Sequence, residues 1–318
     1  MVFHRYGMRF FIDLFKGVLV GIANVIPGVS GGTMAVSLGI YDKMLSSISN
    51  LLKEFKKSFM TLLPIIIGAA VGIVLFSKAI EYLLGNHAFV TAMAFTGLII
   101  GGLPIIIKGM IDEYREKPDV KKLIVGIIVF LIFLAISVGM PLMSAPSGEE
   151  TAIKASPLMF IIMLFLGIIA SATMVIPGVS GSLLMMILGF YFGIIGTINH
   201  MVSSLTNGFQ GIFNDIMVLL PFGIGAILGI FLISKVIKWL FAKFPFVTYC
   251  GIMGLVLSSP FAIFYKVNQE SSMAGTGVVG IIIGIVILLV CGGLTFYLGK
   301  LEGEMDKNEA PISEAVEK

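Results

Sequence analysis

Long apolar segments alternate with short polar connections along the whole chain. Six of them stay apolar for roughly 20 residues, at about 61–83, 89–107, 122–143, 216–240, 246–265 and 276–298. This is the length that a helix needs to cross a hydrocarbon core ~30 Å thick. From Ala155 to Asn214 the sequence contains no Asp, Glu, Lys or Arg. The pattern predicts six membrane-spanning helices in an all-α polytopic membrane protein.

Two further apolar segments are interrupted by a Pro-Gly pair, and they differ from the six spans. In the first, the ten residues from Gly17 to Ile26 precede the break, and a short apolar stretch follows from Met34. Pro and Gly in these positions end one helix and let another begin. Ten helical residues reach only ~15 Å, about half of the membrane. We therefore expect a half-length helix before each break.

The second interrupted segment repeats the first. Residues 17–41 align with 167–191 at an offset of 150, and eleven of the 25 positions are identical, including an unbroken Val-Ile-Pro-Gly-Val-Ser-Gly. The similarity continues at an offset of 157, where Leu-Leu-Pro, Ser-Lys and Phe-Val-Thr each recur. Such a repeat indicates an internal duplication. It predicts two halves, 1–155 and 156–318, each with one broken element and three spans, in one membrane domain.

The distribution of basic residues decides how the broken elements sit in the membrane. If each element enters and leaves on one side, eighteen of the 21 Lys and Arg residues face the cytoplasm, and the exceptions are Lys78, Lys154 and Lys266. This arrangement follows the positive-inside rule, whereas a crossing element would move 43–57 outside. We therefore predict two inverted-topology repeats with re-entrant helical hairpins and both termini in the cytoplasm. The residues from Leu301 onward are expected to form a short solvated tail.

Composition narrows the class of protein further. The chain is 58% apolar and only 12% charged, against about 25% charged residues in soluble domains. This excludes a cytosolic enzyme, a secreted disulfide scaffold and a disordered protein. The spans contain no carboxylate pair, His/Cys cluster or nucleophile–base spacing, and the Pro-Gly motif lacks the Gly-Lys-Ser/Thr ending of a P-loop. We expect no enzymatic activity, no metal, no cofactor and no nucleic-acid partner.

The repeated motif supplies the candidate binding residues. After the break the chain reads Ser30-Gly31-Gly32-Thr33 in the first half and Ser180-Gly181-Ser182 in the second. Glycines allow close backbone approach, while the hydroxyls and the free N–H groups at a helix start can bind an anion or cap the helix. Close packing of small residues is the alternative. A motif kept at both breaks favours a substrate pathway in which two tips meet near the membrane centre.

Other side chains add weaker signals. Lys78 and Lys235 occupy equivalent positions after a repeated Ser, near the ends of their spans. They could snorkel to the interface, or each could offer a cation to an anionic headgroup at one mouth of the pathway. Met174, Met185 and Met186 could line an apolar groove.

At Val25-Ile-Pro-Gly-Val-Ser-Gly-Gly-Thr33 and its second copy, the chain resembles the bacterial undecaprenyl-phosphate translocases of the PopT type. The resemblance covers nearly the whole chain. It implies a plasma-membrane protein that returns the polyprenyl monophosphate carrier from the outer to the cytoplasmic leaflet for cell-wall synthesis. The motif residues that it carries over are Pro27, Gly28, Ser30, Gly31, Gly32 and Thr33, then Pro177, Gly178, Ser180, Gly181 and Ser182. The second copy has Ser-Leu where the first has Gly-Thr.

The residues alone leave the substrate open. A phosphomonoester carries about −1.5 to −2 charges near neutral pH and is too costly to move through hydrocarbon unaided. The tips could therefore carry a lipid phosphate whose prenyl chain stays among the membrane lipids. A secondary transporter or channel for a small soluble anion is the main alternative, and a membrane enzyme or scaffold without transport is another. Driving force, direction, pyrophosphate discrimination and oligomeric state stay open.

Overall fold

A computed structural model of the chain describes residues 2–25, 29–116, 118–143, 151–206, 211–271, 273 and 276–316. This part of the chain forms eleven α-helices without strands: α1 (Val2–Val25), α2 (Gly31–Ser37), α3 (Tyr41–Ser49), α4 (Phe55–Glu116), α5 (Val120–Met143), α6 (Pro157–Val175), α7 (Gly181–Ile187), α8 (Tyr191–Thr206), α9 (Ile212–Lys243), α10 (Pro245–Glu270) and α11 (Val278–Val316). The backbone of His87 is not helical (φ −137°, ψ 43°) and divides α4 in two. We name the two parts α4a (55–86) and α4b (88–116).

All six segments predicted to cross the membrane lie in helices. Two of them occupy α4a and α4b, and the others occupy α5, α9, α10 and α11. Within the described part of the chain, six helices are long and apolar enough to cross a membrane, with α4 counted once; α6, the first helix of the second broken element, is among them. A helical, multi-pass membrane protein is therefore confirmed.

The first helix of each broken element is longer than the sequence predicted. α1 has 24 residues and α6 has 19, which correspond to roughly 36 and 28 Å. The half-length prediction is therefore wrong. The predicted first helix began at Gly17, immediately after Lys16, but Asp13 and Lys16 are only 3% and 0% exposed. Both form ion pairs inside the protein, so their charges do not end the helix.

After the break, both elements continue in the same way. α2 and α7 each contain seven residues, and a turn then leads into α3 or α8. The turn glycines, Gly39 and Gly189, have φ values of 73° and 79°, a left-handed conformation that is costly for residues with a Cβ. α7 and α8 are bent by 108° relative to each other. The sequence repeat thus has a counterpart in backbone geometry.

The first helix of each broken element packs closely along the first span of its own half. Gly68 of α4a lies against Leu14, and Gly72 lies against Val18, so close that a Cβ would overlap the backbone of α1. The equivalent contacts, shifted by 150 and 157, join Leu164 to Gly225 and Ile168 to Gly229. Small residues let membrane helices approach in this way. Since the contacting residue numbers increase together, α1 runs parallel to α4a, and α6 runs parallel to α9.

The last span of each half packs mainly against the other half. α11 lies along α4b, where Gly97 faces Leu288 and Gly101 faces Gly292. In the same way α5 lies along α10, with Gly126 against Phe246 and Phe130 against Gly254. Both pairs run parallel, by the same reasoning from residue numbers. The halves are therefore interlocked rather than placed side by side.

Candidate functional site

The two chain breaks lie against each other. The backbone N–H of Gly178 donates to Oγ1 of Thr33 over 2.6 Å, and the Thr33 side chain is fully buried. A Cβ at Gly32 would lie 3.1 Å from the carbonyl oxygen of Met174 and 3.2 Å from that of Val175. The expectation that the two tips meet is confirmed.

Ser30 and Ser180 begin the short helices after the breaks. Oγ of Ser30 accepts the N–H of Gly32 over 3.2 Å, and Oγ of Ser180 accepts the N–H of Leu183 over 3.5 Å. This confirms the predicted helix capping. The backbone N–H groups are less available than we expected, because those of Gly32, Gly178 and Leu183 donate within the protein. Helices of seven residues also align only a few peptide dipoles. Side-chain hydroxyls, rather than backbone N–H groups, are therefore the main polar groups that the tips can offer to a ligand.

Gly178 is held by two helices that the sequence did not connect with it. Its carbonyl oxygen accepts the hydroxyl of Ser137 in α5 over 3.0 Å, and Ser137 in turn accepts the hydroxyl of Ser258 in α10 over 2.5 Å. The φ of Gly178 is 77°, and a Cβ there would overlap the carbonyl of Leu255. Glycine is required by both conformation and space. A serine within an apolar helix carries no local signal of its partner, so sequence reasoning missed both serines.

A cleft of about 490 Å³ opens between the two tips. The repeated motif supplies part of its polar lining: Ser30 and Gly31 from the first half, then Ser180, Gly181 and Ser182 from the second, with Asn24 and Tyr191 beside them. The hydroxyls of Ser180 and Ser182 lie 3.0 Å apart. Met174, Met185 and Met186 form part of the apolar wall, as predicted. The cleft can therefore surround a small polar group while contacting an apolar chain.

Lys266 also lines this cleft, and it is the one Lys or Arg that does so among the residues that the structure describes. It lies near the end of α10, where its side chain is 3% exposed and its Nζ donates to Oε1 of Gln269 over 3.2 Å. The sequence analysis placed Lys266 in an outer connection and missed it as a site residue. In the sequence, the one feature that could have marked Lys266 as a site residue was its positive charge at the end of an apolar segment.

The remaining candidate residues lie elsewhere or beyond the described part of the chain. Pro177 belongs to the contact between the tips, where its Cα would lie 3.4 Å from a Cβ at Gly32. Lys78 and Lys235 are exposed and do not line the cleft, so their role at its mouths stays a prediction. Pro27 and Gly28 fall outside the described residues.

A buried ion cluster connects α1, α3 and α11. Nζ of Lys16 lies 2.7 Å from Oε2 of Glu302, and Nζ of Lys43 lies 2.6 Å from Oδ2 of Asp13. Oε1 of Glu302 also lies 3.6 Å from Lys43 and 3.7 Å from Arg9. Since the Glu302 side chain is 2% exposed and α11 continues to Val316, the expectation of a solvated tail from Leu301 is wrong at this residue.

The second half has an apolar cluster where the first has these ions. The residues equivalent to Arg9, Asp13 and Lys16, at an offset of 150, are Met159, Met163 and Leu166. Met163 and Leu166 are buried there with Met185, Ile194 and Val218, and Met159 packs against them. The two broken elements therefore share a backbone arrangement, but buried ion pairs fix the first one and apolar packing fixes the second.

Comparison with known proteins leads to the same family that the duplicated motif resembles. The profile of a family described as undecaprenyl phosphate translocase-like matches residues 20–279. A polyprenyl-phosphate transporter of Staphylococcus aureus (strain NCTC 8325 / PS 47) is 33% identical over 289 residues, which cover 89% of this chain and 96% of that protein. A polyprenyl-phosphate transporter of Vibrio cholerae serotype O1 is 28% identical over 266 residues, covering 79% and 77%. No solved structure matches the chain significantly. The chain belongs to the undecaprenyl phosphate translocase-like family.

Proposed function

We propose that the protein moves a polyprenyl monophosphate across the bacterial plasma membrane, returning the lipid carrier from the outer to the cytoplasmic leaflet for cell-wall synthesis. The observation that carries this proposal is the cleft between the two chain breaks, with its serine hydroxyls, its methionine wall and one buried lysine. Two relatives bear the name polyprenyl-phosphate transporter. The protein acts without covalent chemistry on its substrate.

The packing of α1 supports a re-entrant hairpin. α1 and α4a run parallel, yet only α2 and α3 connect them. The chain therefore has to return through α2 and α3 to the side where α1 begins before α4a can start. Ile73, in the middle of the segment 61–83, lines the cleft together with Ser30. This supports a first tip well inside the membrane, and the parallel packing of α6 with α9 supports the same path in the second half.

The interlocked spans support an inverted relation of the halves. The connection of three residues between α4b and α5 makes these helices antiparallel, and α5 runs parallel to α10. α4b and α10 are equivalent positions of the repeat, so equivalent spans run in opposite directions. Combined with the positive-inside distribution, this topology supports a cytoplasmic location of both termini. Broken helices of inverted repeats commonly form a substrate site near the bilayer midplane.

We further propose that the phosphate passes through the cleft while the prenyl chain stays in lipid. Serine hydroxyls can replace part of the hydration shell of the phosphate, which otherwise makes its transfer into hydrocarbon prohibitive. The methionine wall can contact the first prenyl units, because its side chains adapt to irregular apolar shapes. Rearrangement of the packed helices then exposes the cleft to one leaflet at a time.

Proteoliposomes test the proposal directly. We would measure transbilayer movement of undecaprenyl monophosphate and uptake of inorganic phosphate with the same vesicles. The double variant Ser30→Ala/Ser180→Ala should lose lipid movement, whereas Ser203→Ala, which changes an exposed serine of α8 outside the cleft, should keep it. Phosphate uptake without lipid movement would establish a soluble-anion transporter instead. Full activity of the double variant would exclude the cleft as the pathway.

A further inference from the structure

Lys266 occupies an unusual electrostatic position. The residue is only 3% exposed, and the partner that the structure gives its ammonium is the neutral amide of Gln269. Among the side chains that the structure describes, which do not include that of Glu270, no carboxylate lies within ion-pair distance of it. Burying an ammonium away from water is costly unless a negative charge compensates it. The described side chains therefore place a buried cation in the wall of the cleft beside a neutral amide.

The other lysines of the chain provide a contrast. Lys16, which is equally buried, pairs with Glu302, and Lys43 pairs with Asp13. Lys78 and Lys235 are exposed to the surroundings of the protein. Lys266 thus differs from these four lysines in combining burial, a neutral hydrogen-bond partner and a position in the cleft.

Lys266 also breaks the symmetry of the repeat. At an offset of 157, the equivalent position in the first half is Gly109, which packs against the ring of Tyr249. The cleft therefore receives its positive charge from one half only, whereas the serine hydroxyls come from both. A ligand with one compact anionic group satisfies this arrangement.

We propose that Lys266 forms the ion pair with the substrate phosphate and makes the cleft select anionic prenyl lipids over neutral ones. Its Nζ and the serine hydroxyls would share the phosphate oxygens through charge-assisted hydrogen bonds, while Gln269 keeps the ammonium in place. The lipid part of this assignment rests on the proposed function. The binding of a phosphate by Lys266 rests on its burial in the cleft.

Binding to the purified full-length protein in detergent tests this role. The probes are undecaprenyl monophosphate, the neutral alcohol undecaprenol, and inorganic phosphate. Lys266→Met keeps the length of the side chain but removes its charge, and should weaken monophosphate binding roughly 10- to 100-fold, as expected for a hydrogen bond to a charged group. Undecaprenol binding should not change. Lys266→Arg should restore most of the monophosphate affinity, and the exposed control Lys154→Met should behave as the unchanged protein.

Thermal unfolding without ligand separates binding from a structural role. Removing an uncompensated buried charge should leave the midpoint of Lys266→Met equal to or above that of the unchanged protein. A lower midpoint with equal loss of both lipids would show a structural lysine and overturn the inference. Unchanged monophosphate affinity would also overturn it, and with normal lipid movement the proposed function would still stand. Conversely, Lys266-dependent binding of inorganic phosphate without lipid movement would support the phosphate site and refute the lipid substrate.

Discussion

Glu302 holds the last helix to the first broken element, and the variant Glu302→Gln tests how much this contact stabilises the protein. Its two carboxylate oxygens lie 2.7 Å from Lys16, 3.6 Å from Lys43 and 3.7 Å from Arg9. Glutamine has the same shape but no charge. In the variant, three cations would share the single carboxylate of Asp13.

Glu302→Gln should lower the free energy of unfolding substantially, because the ion cluster is buried. Removing one partner of a buried ion pair costs about 3–5 kcal/mol, since the other charge stays uncompensated. Lys16 is the group most affected, being fully buried. At about 2–4 °C per kcal/mol, the unfolding midpoint should fall by roughly 6–20 °C. The double variant Glu302→Gln/Lys16→Met removes the uncompensated charge as well, and should recover most of the loss.

Unfolding of these variants can be followed through the reactivity of the two cysteines. Cys250 is buried and Cys291 is partly buried, so a fluorogenic thiol reagent reports unfolding in detergent. The control is Glu304→Gln, which removes an exposed carboxylate 3.9 Å from Lys300 and should change the midpoint little. The reasoning is refuted if Glu302→Gln unfolds within 2 °C of the unchanged protein, a limit set at roughly 1 kcal/mol. A double variant no more stable than the single one would refute the pairing with Lys16.

Three further substitutions probe the tips. Gly31→Val should abolish lipid movement in proteoliposomes with little change in the unfolding midpoint, because the three atoms nearest to a Cβ at this position all belong to the side chain of Asn24, which can move. Unchanged movement would contradict this. Gly178→Ala should destabilise the protein by about 1–3 kcal/mol, because the φ of 77° at this position is strained for alanine. Overlap of its Cβ with the Leu255 carbonyl adds a further cost. An unchanged unfolding midpoint in the thiol assay would contradict this prediction. Thr33→Val should cost about 1–3 kcal/mol by leaving the Gly178 N–H unpaired, and Thr33→Ser should not; equal midpoints of the two variants would exclude this role for the hydroxyl.

The spans and the tips were predictable because their causes are local. A membrane fixes the length of an apolar helix, so the six spans could be located by counting residues. Capping by Ser30 and Ser180 involves partners two or three residues away, and such short-range preferences follow from residue type alone. The meeting of the two tips was expected only because the same motif occurs twice, and the pairing of Thr33 with Gly178 was not predicted.

The buried charges could not be predicted, because their partners are distant in sequence. Lys16 and Glu302 are separated by 286 positions, and each looked like an ordinary hydrophilic residue in its own segment. This also explains the error over the length of α1, whose internal charges are compensated only after folding. Lys266 was assigned to a connection since nothing nearby in sequence reveals that the motif of the other half lies beside it.

The packing of the last span of each half against the other half has a consequence for biosynthesis. α4b finds its main partner in α11, a helix that is synthesised well after it. Lys16 gains its carboxylate partner only when Glu302 of that same helix has been made. An N-terminal fragment ending near residue 155 therefore holds an uncompensated cation and an uncovered glycine face. Such a nascent fragment should be the form that membrane quality-control proteases and chaperones recognise. Co-expressed halves should escape degradation only by assembling with each other.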